Sequence, residues 1–533
     1  MGTVEHPRLR PHALEDRAYQ ATIADRAIDR NTLAVLPTGL GKTAIALRVI
    51  AEELRRRPTE SILVLAPTRP LVDQHTRSIA QAVLAPEPIA LTGAIPPDRR
   101  AALLHPPQIV VATPQVVAND LADGQFPLGT FSLIVFDEAH RAAGDYPYVA
   151  IGRANLAGPN ARVLALTASP GGRLGRIQEV WTNLGIEQFE YRTDRSPDVL
   201  PYLHGVGFET VEVPVPPEVR HLAILVRTAV ARQVDVLRKL DLVAGGEAGR
   251  RALLEVGALL HRRIEAERRA GTSNARLWTG VTAQAAAMKG LHALELIESQ
   301  GVDALREFLR RQDPVPGKRV TPAQRAFLGD PDLVEARREL DHLTIELPKI
   351  ATVVRIVRDE LERNSAARVI VFSQYRDTVD RLVEELARAG GPGVRPARFV
   401  GQATHGEDAG LSQKEQVGVL DRFRAGERNV LVATSVAEEG LDIPATDLVV
   451  FYEPIPDVIR TIQRRGRTGR ARSGRAVVLV AAGTRDVGLQ RAASARERRM
   501  HEMLEQVQAQ AAGGGTLAPP RAKQVQRELS EFP

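Results

Sequence analysis

The sequence predicts an α/β protein with two parallel-sheet domains and an all-helical domain inserted between them. In two stretches, short apolar runs alternate with amphipathic helical segments, a pattern typical of parallel sheets with helices on both faces. The stretch between them keeps the helical spacing but lacks the apolar runs. A proline cluster at residues 214–217 and a proline at position 348 mark its two borders.

The first sheet domain is predicted over residues 1–213. Its apolar runs are four to six residues long, which suits buried strands better than helices. The strands are predicted at residues 32–36, 61–66, 109–112, 133–136 and 163–166, with intervening helices that include residues 44–57 and 71–84.

The helical insert is predicted over residues 214–347 and is the basic part of the chain. Residues 216–342 contain 21 lysines and arginines against 17 aspartates and glutamates, a net charge of +4 out of +6 for the whole chain. The insert is therefore a candidate surface for a polyanion. Its helices are predicted at residues 218–243, 250–269, 279–300 and 332–344.

The second sheet domain is predicted over residues 348–510, and residues 511–533 are predicted to form a flexible tail. Glycines and prolines fill residues 511–520, as is usual in linkers. The strands of this domain are predicted at residues 368–372, 430–433, 447–451 and 476–480, followed by a helix at 485–510.

The composition excludes several classes of protein. The 533 residues are 44% apolar and 26% charged, the balance of an ordinary folded chain. The chain has no cysteine, which excludes a disulfide scaffold and thiolate metal ligands. No apolar run approaches the roughly 18 residues of a membrane span, and residues 1–10 lack the apolar core of a signal peptide. We therefore expect a cytoplasmic protein.

Arginine dominates the positive charge. Lysine and arginine number 71 against 65 acidic residues, and only seven of the 71 are lysines. Arginine binds phosphate oxygens through two parallel N–H groups, so this composition favours a polyanionic partner. A compositional preference for arginine without functional meaning explains the excess equally well, and charge alone leaves both interpretations open.

The first predicted strand leads into Pro37-Thr38-Gly39-Leu40-Gly41-Lys42-Thr43, and a helix follows. In such a unit, small residues let backbone N–H groups surround phosphate oxygens at a helix N-terminus. Lys42 would reach the β- and γ-phosphates, and the Thr43 hydroxyl would bind Mg²⁺. The sequence therefore predicts an ATP site that also includes Thr38, Gly39 and Gly41.

The predicted strand 133–136 ends in Asp137-Glu138-Ala139-His140. Ligands of open α/β sheets collect at the carboxyl ends of the strands, and two adjacent carboxylates there require a nearby cation. Asp137 would bind Mg²⁺ directly or through water. Glu138 would orient and deprotonate the attacking water.

An arginine-rich motif, Gln463-Arg464-Arg465-Gly466-Arg467-Thr468-Gly469-Arg470, lies in the second sheet domain. Phosphoryl transfer gains from a cation that reaches the γ-phosphate only when two domains close. Arg467 and Arg470 are three residues apart and would share one side of a helical segment. We predict that they are these cations.

Together these motifs resemble those of superfamily 2 helicases, and in detail they are similar to the archaeal Hef helicases, relatives of the FANCM branch-migration enzymes. The similarity spans residues 14–490. The supporting segments, besides the motifs above, are 133–141, 166–171, 399–403, 410–413, 430–436, 438–442 and 451–454.

The resemblance implies two RecA-like domains that bind one ATP between them and translocate along DNA from 3′ to 5′, with a preference for forks and other branches. Ahead of the phosphate loop, Gln20 would contact the adenine edge. The further nucleotide-site residues that it implies are Arg17, Tyr19, Gly440, Asp442 and the catalytic Gln463.

Two sets of residues resemble the nucleic-acid motifs of the family and would contact successive phosphates without reading base sequence. The first domain contributes Arg69, Thr92, Gly93, Thr113 and Pro114. The second contributes Ser373, Gln374, Arg376, Gly401, Gln402 and Thr434. Taken singly, each is explained equally well as a helix cap. Thr167-Ala168-Ser169 would connect the nucleotide site with these residues.

Longer Hef proteins continue into a nuclease domain, whose Glu-Arg-Lys signature is not found here, so we expect no DNA cleavage. In the tail, Gln526, Leu529 and Phe532 resemble a peptide that binds the sliding clamp PCNA. A short amphipathic tail without a partner explains the same residues equally well.

The favoured function is an ATP-dependent DNA helicase or translocase that acts on forked or branched DNA in replication-fork repair or restart. The alternative is an enzyme of the same superfamily directed to double-stranded RNA, because a core that contacts phosphates distinguishes the two sugars poorly. A non-catalytic, clamp-bound scaffold is disfavoured by the complete set Lys42, Asp137, Glu138, Arg467 and Arg470.

Overall fold

The structure is a computed structural model. It describes residues 2–104, 108–168, 174–202, 206–244, 248–272, 274–314, 317, 319–345, 348–401, 410–434, 446–454 and 474–512. These residues form two parallel sheets and a helical bundle, which confirms the predicted fold class. None of the helices in these ranges is both long and apolar enough to cross a bilayer.

The first domain is a seven-stranded sheet with helices on both faces. Its strands are β1 (Thr32–Val35), β2 (Ser61–Leu65), β3 (Ile89–Leu91), β4 (Ile109–Ala112), β5 (Phe131–Asp137), β6 (Arg162–Thr167) and β7 (Gln188–Tyr191). The strand order is β3-β4-β2-β5-β6-β1-β7, with parallel pairing throughout. Its helices are α1 (Ala18–Asp29), α2 (Lys42–Arg56), α3 (Arg69–Ala82), α4 (Pro97–Leu103), α5 (Pro114–Ala122), α6 (Pro147–Ala157) and α7 (Leu174–Leu184).

The strands of this sheet are mostly apolar and buried because both faces of the sheet are covered. Leu33 and Val35 lie in one buried cluster, whereas Ala34 and Leu36 lie in a second cluster on the opposite face. Strands buried on both sides appear as continuous apolar runs, and such runs predicted β1, β2, β4, β5 and β6. Strands β3 and β7 were not predicted, because β3 has only three residues and β7 contains Gln188 and Glu190.

Six helices form the bundle between the two sheets: α8 (Pro217–Lys239), α9 (Arg250–Ala270), α10 (Ala275–Ser299), α11 (Val302–Arg311), α12 (Pro322–Leu328) and α13 (Pro331–His342). The long helix α10 packs against α8, α9, α11 and α12. Gly290 of α10 lets α8 approach closely, since a Cβ there would lie 2.5 Å from Val230 Cγ2. The middle of the sequence thus lacks strand-like apolar runs because its helices pack on one another.

The second domain is a six-stranded parallel sheet. Its strands are β8 (Val206–Val213), β9 (Val369–Phe372), β10 (Pro396–Phe399), β11 (Val430–Ala433), β12 (Leu448–Phe451) and β13 (Gly474–Ala481), in the order β10-β11-β9-β12-β13-β8. The helices of this domain are α14 (Pro348–Arg363), α15 (Arg376–Ala389) and α16 (Gln413–Arg424).

Strand β8 corrects one expectation. Residues up to 213 were expected in the first domain, but β8 pairs in parallel with β13 from Val206↔Gly474 to Val213↔Ala481. It is the edge strand of the second sheet, although it precedes the bundle in the chain. Most of its residues are exposed, so no apolar run indicated to which sheet it belongs.

The last described helix, α17 (Arg485–Ala512), connects the two sheet domains. Its first turn lies in the second domain, where Asp486 is buried. Further along, Met500, Leu504 and Val507 join a core cluster of the first domain. Gln508 Oε1 accepts a hydrogen bond from the backbone N–H of Tyr191 at 3.0 Å. A helix predicted to belong to the second domain therefore also packs on the first.

Candidate functional site

The loop of residues 37–41 connects β1 to α2, which begins at Lys42. Gly39 and Gly41 have φ values of 97° and 74°, in the left-handed region that favours glycine. A Cβ on Gly41 would lie 2.4 Å from Gln20 Nε2. Thr43 lies in the first turn of α2, where unpaired N–H groups and the helix dipole favour an anion. The loop is therefore shaped to enclose an anionic group.

Helix α1 supports this loop through two buried side chains. The Tyr19 hydroxyl donates a hydrogen bond to the Leu40 carbonyl at 2.7 Å, and Gln20 Nε2 donates to the same oxygen at 3.1 Å. Arg17 pairs with Glu15 at 2.8 Å and lies over the Tyr202 ring. Tyr19 and Gln20 therefore contact the loop, whereas Arg17 contacts Glu15 and Tyr202.

The substitution Gln20→Ala is expected to raise the ATP concentration for half-maximal hydrolysis about tenfold, and the GTP concentration less, because it removes the proposed hydrogen bond to the adenine edge. Steady-state ATPase assays with ATP and GTP would measure this. Tyr19→Phe removes the other bond to Leu40 and is the matched control, expected to retain the preference for ATP. Equal losses for ATP and GTP in both variants would contradict a role of Gln20 at the adenine.

Asp137, at the end of β5, is held by contacts from three directions. Its Oδ2 lies 2.8 Å from His75 Nε2, and its Oδ1 accepts a hydrogen bond from the Glu138 N–H at 3.0 Å. The Tyr148 hydroxyl donates to the Asp137 carbonyl at 2.7 Å. Burial raises the pKa of Asp137, but the His75 imidazole and the Lys42 ammonium lower it below its usual value overall. The phosphate loop and this strand end therefore form one electrostatic site.

Glu138 has a backbone conformation that is unusual for a residue with a side chain. Its φ is 50°, in the left-handed region, and such strain occurs most often at functional sites. Its Oε2 lies 3.2 Å from His140 Nδ1. The same nitrogen lies 3.0 Å from the Thr167 hydroxyl, which connects the strand end to the first residue of the 167–169 motif.

Two residues of this site were missed by the sequence analysis, His75 and Tyr148. His75 lies on the buried face of α3 together with Val72 and Ile79, spaced by three and four residues. A histidine within an apolar helical stripe was the available signal, but it does not indicate what the imidazole contacts. Only the packing of α3 and α6 against β5 brings both side chains to Asp137.

The donor set suits a polyphosphate that carries Mg²⁺. The Thr43 hydroxyl and the Asp137 carboxylate are the hard oxygen ligands that Mg²⁺ prefers, and Lys42 supplies a positive charge beside the loop, with its Nζ 3.2 Å from the Leu36 carbonyl. Among the described residues there is no cluster of three or more histidine or acidic side chains that could hold a metal by themselves. Mg²⁺ commonly completes its shell with water and substrate phosphates.

The first predicted nucleic-acid set lies at the carboxyl ends of three neighbouring strands. Arg69 follows β2, Thr92 and Gly93 follow β3, and Thr113 and Pro114 follow β4. The Arg69 guanidinium lies against Gly93, and the Thr113 N–H donates to the Leu91 carbonyl at 3.1 Å. Thr113 precedes α5 but makes no side-chain capping bond. Arg69 and Gly93 are exposed, Thr92 is half-buried, and Thr113 and Pro114 are buried.

The second set has the same arrangement on the other sheet. Ser373, Gln374 and Arg376 follow β9, Gly401 follows β10, and Thr434 follows β11, again three neighbouring strands. Arg376 Nη2 donates to the Gly401 carbonyl at 3.0 Å, and the Thr434 N–H donates to Phe399 at 3.1 Å. Gln374 is exposed and Arg376 half-buried, whereas Ser373, Gly401 and Thr434 are buried.

Several predicted residues lie outside the residues that the structure describes, and their roles stay predictions. They are Gln402, Gly440, Asp442, Gln463, Arg467, Arg470, Gln526, Leu529 and Phe532. Ser169, the last residue of the 167–169 motif, also lies outside.

Comparison with known families and structures agrees with this geometry. Residues 17–176 match the DEAD/DEAH box helicase model, and residues 349–472 match the helicase conserved C-terminal domain. Residues 218–337 match a helical-bundle model described as part of a provisionally named ATP-dependent RNA helicase. The crystal structure of the Pyrococcus furiosus Hef helicase domain is 40% identical with a TM-score of 0.70, over 90% of this chain and 98% of that one.

The chain belongs to the Hef-type helicases of superfamily 2. This Hef-type chain is also similar to a Methanocaldococcus jannaschii protein provisionally named an ATP-dependent RNA helicase, with 38% identity over 94% of the chain and 62% of the relative. An ATP-dependent DNA helicase of Neurospora crassa is 34% identical over 88% of the chain and 41% of the relative. The Drosophila melanogaster DEAD-box ATP-dependent DNA helicase Fancm is 34% identical over 90% of the chain and 34% of the relative. The Hef-type chain thus spans less than two thirds of each of these relatives.

Proposed function

We propose that this chain is an ATP-driven translocase that acts on forked or branched DNA. The observation that supports this most directly is the repeated arrangement of the two candidate strand-binding sets. Each set occupies the carboxyl ends of three neighbouring strands, β3-β4-β2 in one sheet and β10-β11-β9 in the other. Movement along a strand requires two sites that bind the same polynucleotide and one ATP site. The two candidate sets would be these two binding sites.

In the proposed cycle, Lys42, Thr43 and Asp137 hold ATP and Mg²⁺, and Glu138 orients the attacking water. ATP hydrolysis supplies the free energy for the movement. Arg467 and Arg470 are proposed to reach the γ-phosphate when the two sheet domains close, as the sequence resemblance implies. Closing and reopening would let the two binding sites hold the strand in turn, with movement from 3′ to 5′.

The names of the relatives favour DNA but leave a second candidate. The Neurospora and Drosophila relatives are named DNA helicases, whereas the Methanocaldococcus relative and the helical-bundle model are named for RNA. Unwinding of forked, three-way, four-way and linear DNA, and of duplex RNA, tests the choice directly. We expect branched DNA to be unwound fastest, whereas faster unwinding of duplex RNA would favour the second candidate.

The helical bundle is proposed to hold the duplex arm of the branch. Four arginines near the C-terminal end of α9 are exposed, and none of them pairs with a carboxylate of the described residues. By contrast, four other exposed arginines of the bundle are paired with glutamates. Unpaired surface arginines are free to replace the counterions of a phosphate backbone. The α9 group is Arg262, Arg263, Arg268 and Arg269.

Changing these four arginines to glutamine is expected to weaken fork binding. The negative slope of log affinity against log salt concentration should become shallower by up to about 4, since each lost phosphate contact reduces its magnitude by about 0.9. Fluorescence anisotropy over a salt series would measure both quantities. The matched control changes the paired arginines Arg251, Arg310, Arg311 and Arg338 to glutamine, with the same loss of charge. Equal slopes for both variants would contradict the role of α9.

Two finer proposals rest on the sequence alone. Gln526, Leu529 and Phe532 are proposed to bind the sliding clamp PCNA, because their spacing resembles a clamp-binding peptide. A cytoplasmic location, as expected from the sequence, also stays a proposal.

A further inference from the structure

The loop of residues 373–376 is held by a buried carboxylate from the neighbouring strand. Glu453 follows β12, which pairs with β9, and is 5% exposed. Its Oε1 accepts a hydrogen bond from the Gln374 backbone N–H. Its Oε2 accepts one from the Ser373 hydroxyl at 3.4 Å. One carboxylate thus binds two groups of the loop that the proposed function assigns to the nucleic acid.

On its other side, Glu453 faces a buried ion pair. Lys349 Nζ of α14 lies 2.6 Å from Asp486 Oδ2 of α17, and both side chains are inaccessible to solvent. Lys349 Nζ also lies 5.2 Å from the centre of the Tyr452 ring. The Lys349 ammonium is therefore paired with Asp486 and also acts electrostatically on Glu453. Burial raises the pKa of Glu453 to about 7, even though Lys349 acts to lower it.

The same network reaches the helical bundle. The Ser299 hydroxyl, at the end of α10, donates to Asp486 Oδ1 at 2.8 Å. The next residue, Gln300, accepts a hydrogen bond from the Thr378 hydroxyl of α15 at 2.5 Å. The first contact is with the ion pair itself, and the second is with a residue just after the 373–376 loop. The end of α10 is therefore fixed to this part of the second domain.

We propose that Glu453 is a positioning residue that holds the 373–376 loop ready to bind a strand, and that the Lys349–Asp486 pair connects this loop to the helical bundle. The inference rests on the proposed function. A hydrogen bond to an ionised acceptor is about twice as strong as one to a neutral acceptor, so the charge on Glu453 restricts the loop. Burial of a carboxylate costs free energy unless its oxygens are satisfied, and the Gln374 N–H and the Ser373 hydroxyl satisfy those of Glu453.

The test uses the substitution Glu453→Gln in the full chain, which keeps the shape of the side chain and removes its charge. ATPase rates are measured against poly(dT) concentration. The concentration for half-maximal stimulation is expected to rise about tenfold, the effect of weakening a hydrogen bond to a charged group. The saturated rate is expected to change less than about twofold, because the ATP site is left intact, whereas general structural damage would lower the rate itself.

Asp447→Asn is the matched control. Asp447 Oδ2 accepts a hydrogen bond from the Arg368 N–H at 2.8 Å, at the opposite ends of the same two strands. It therefore resembles Glu453 in chemistry but lies away from the loop. Its half-maximal poly(dT) concentration is expected to stay within about twofold of wild type.

A pH series gives a second readout. Between pH 8 and pH 6.5 Glu453 is expected to gain a proton, so the half-maximal poly(dT) concentration of the wild type should rise toward that of Glu453→Gln. The half-maximal poly(dT) concentration of the variant should not change over this range. Among the residues that the structure describes, the other charged or titratable groups that act on Glu453 are Lys349, Asp486 and Tyr375, and His292 packs on Tyr375. Burial raises the pKa of Tyr375 and lowers that of His292, so neither accounts for a change in this range.

If Glu453→Gln does not fold, Ser299→Ala tests the same network from the bundle and is expected to raise the half-maximal concentration about threefold, the loss of one neutral hydrogen bond. Wild-type values for both variants, or an equal rise in Asp447→Asn, would overturn the inference. A wild type that poly(dT), poly(U) and forked DNA all fail to stimulate would overturn the proposed function itself, and the inference with it.

Discussion

The substitution Lys42→Ala is expected to reduce the ATPase rate at least about a hundredfold, the usual effect of removing a group that stabilises charge in the transition state. Lys42 begins α2 beside the phosphate loop, and its ammonium is close enough to Asp137 to lower the pKa of that carboxyl. Without the Lys42 ammonium, its positive charge no longer offsets the negative charges of the phosphates and of Asp137. Steady-state ATPase assays at saturating ATP and poly(dT) measure the loss.

Lys239→Ala is the control for Lys42→Ala, because Lys239 is an exposed lysine at the end of α8. We expect its ATPase rate to equal that of the wild type. Undiminished hydrolysis in Lys42→Ala would contradict the proposed ATP cycle and would support the non-catalytic scaffold that the sequence analysis considered.

The substitution Glu138→Gln is expected to separate binding of ATP from its hydrolysis. Loss of a general base typically slows a reaction 10²–10⁴-fold, so we expect single-turnover hydrolysis to fall by about that factor. Binding of a fluorescent ATP analogue should change little, because the loop, Lys42 and Asp137 are intact. The amide keeps the size of the side chain at a residue whose φ is 50°, so the backbone strain is unchanged.

Glu179→Gln is the comparison for Glu138→Gln, since Glu179 is an exposed glutamate of α7 in the same domain. Its hydrolysis rate is expected to match the wild type. If Glu138→Gln lost nucleotide binding as strongly as hydrolysis, its role would be structural. If hydrolysis were normal, another group would have to activate the water.

The position of the candidate phosphate loop in the fold could be predicted because its parts are local in sequence. Gly39, Gly41, Lys42 and Thr43 lie within one strand–loop–helix unit, where the backbone alone sets their relative positions. Asp137 could be placed at the same sheet edge because parallel strands end on one side. That each of the two candidate nucleic-acid sets lies at three neighbouring strands became visible only in the sheet order, where β3, β4 and β2 are neighbours and so are β10, β11 and β9.

The contacts that hold the site could not be predicted in the same way. His75 reaches Asp137 from α3 across 62 residues, and Glu453 reaches Gln374 across 79 residues. Edge strand β8 has no apolar run, so its residues were expected in the first domain, and its pairing with β13 was not predicted. Each of these contacts depends on which surfaces pack together, and periodicity within one segment carries no such information.

The amino-acid sequence by itself determined the class of fold, the family and the residue types at the phosphate loop, because hydrophobic period and short motifs act over a few neighbouring residues. Only the tertiary structure decided that β8 joins the second sheet, that α17 packs on the first domain, and that Glu453, Lys349 and Asp486 meet beside one loop. These are long-range contacts, and their partners are chosen by shape, burial and charge in three dimensions.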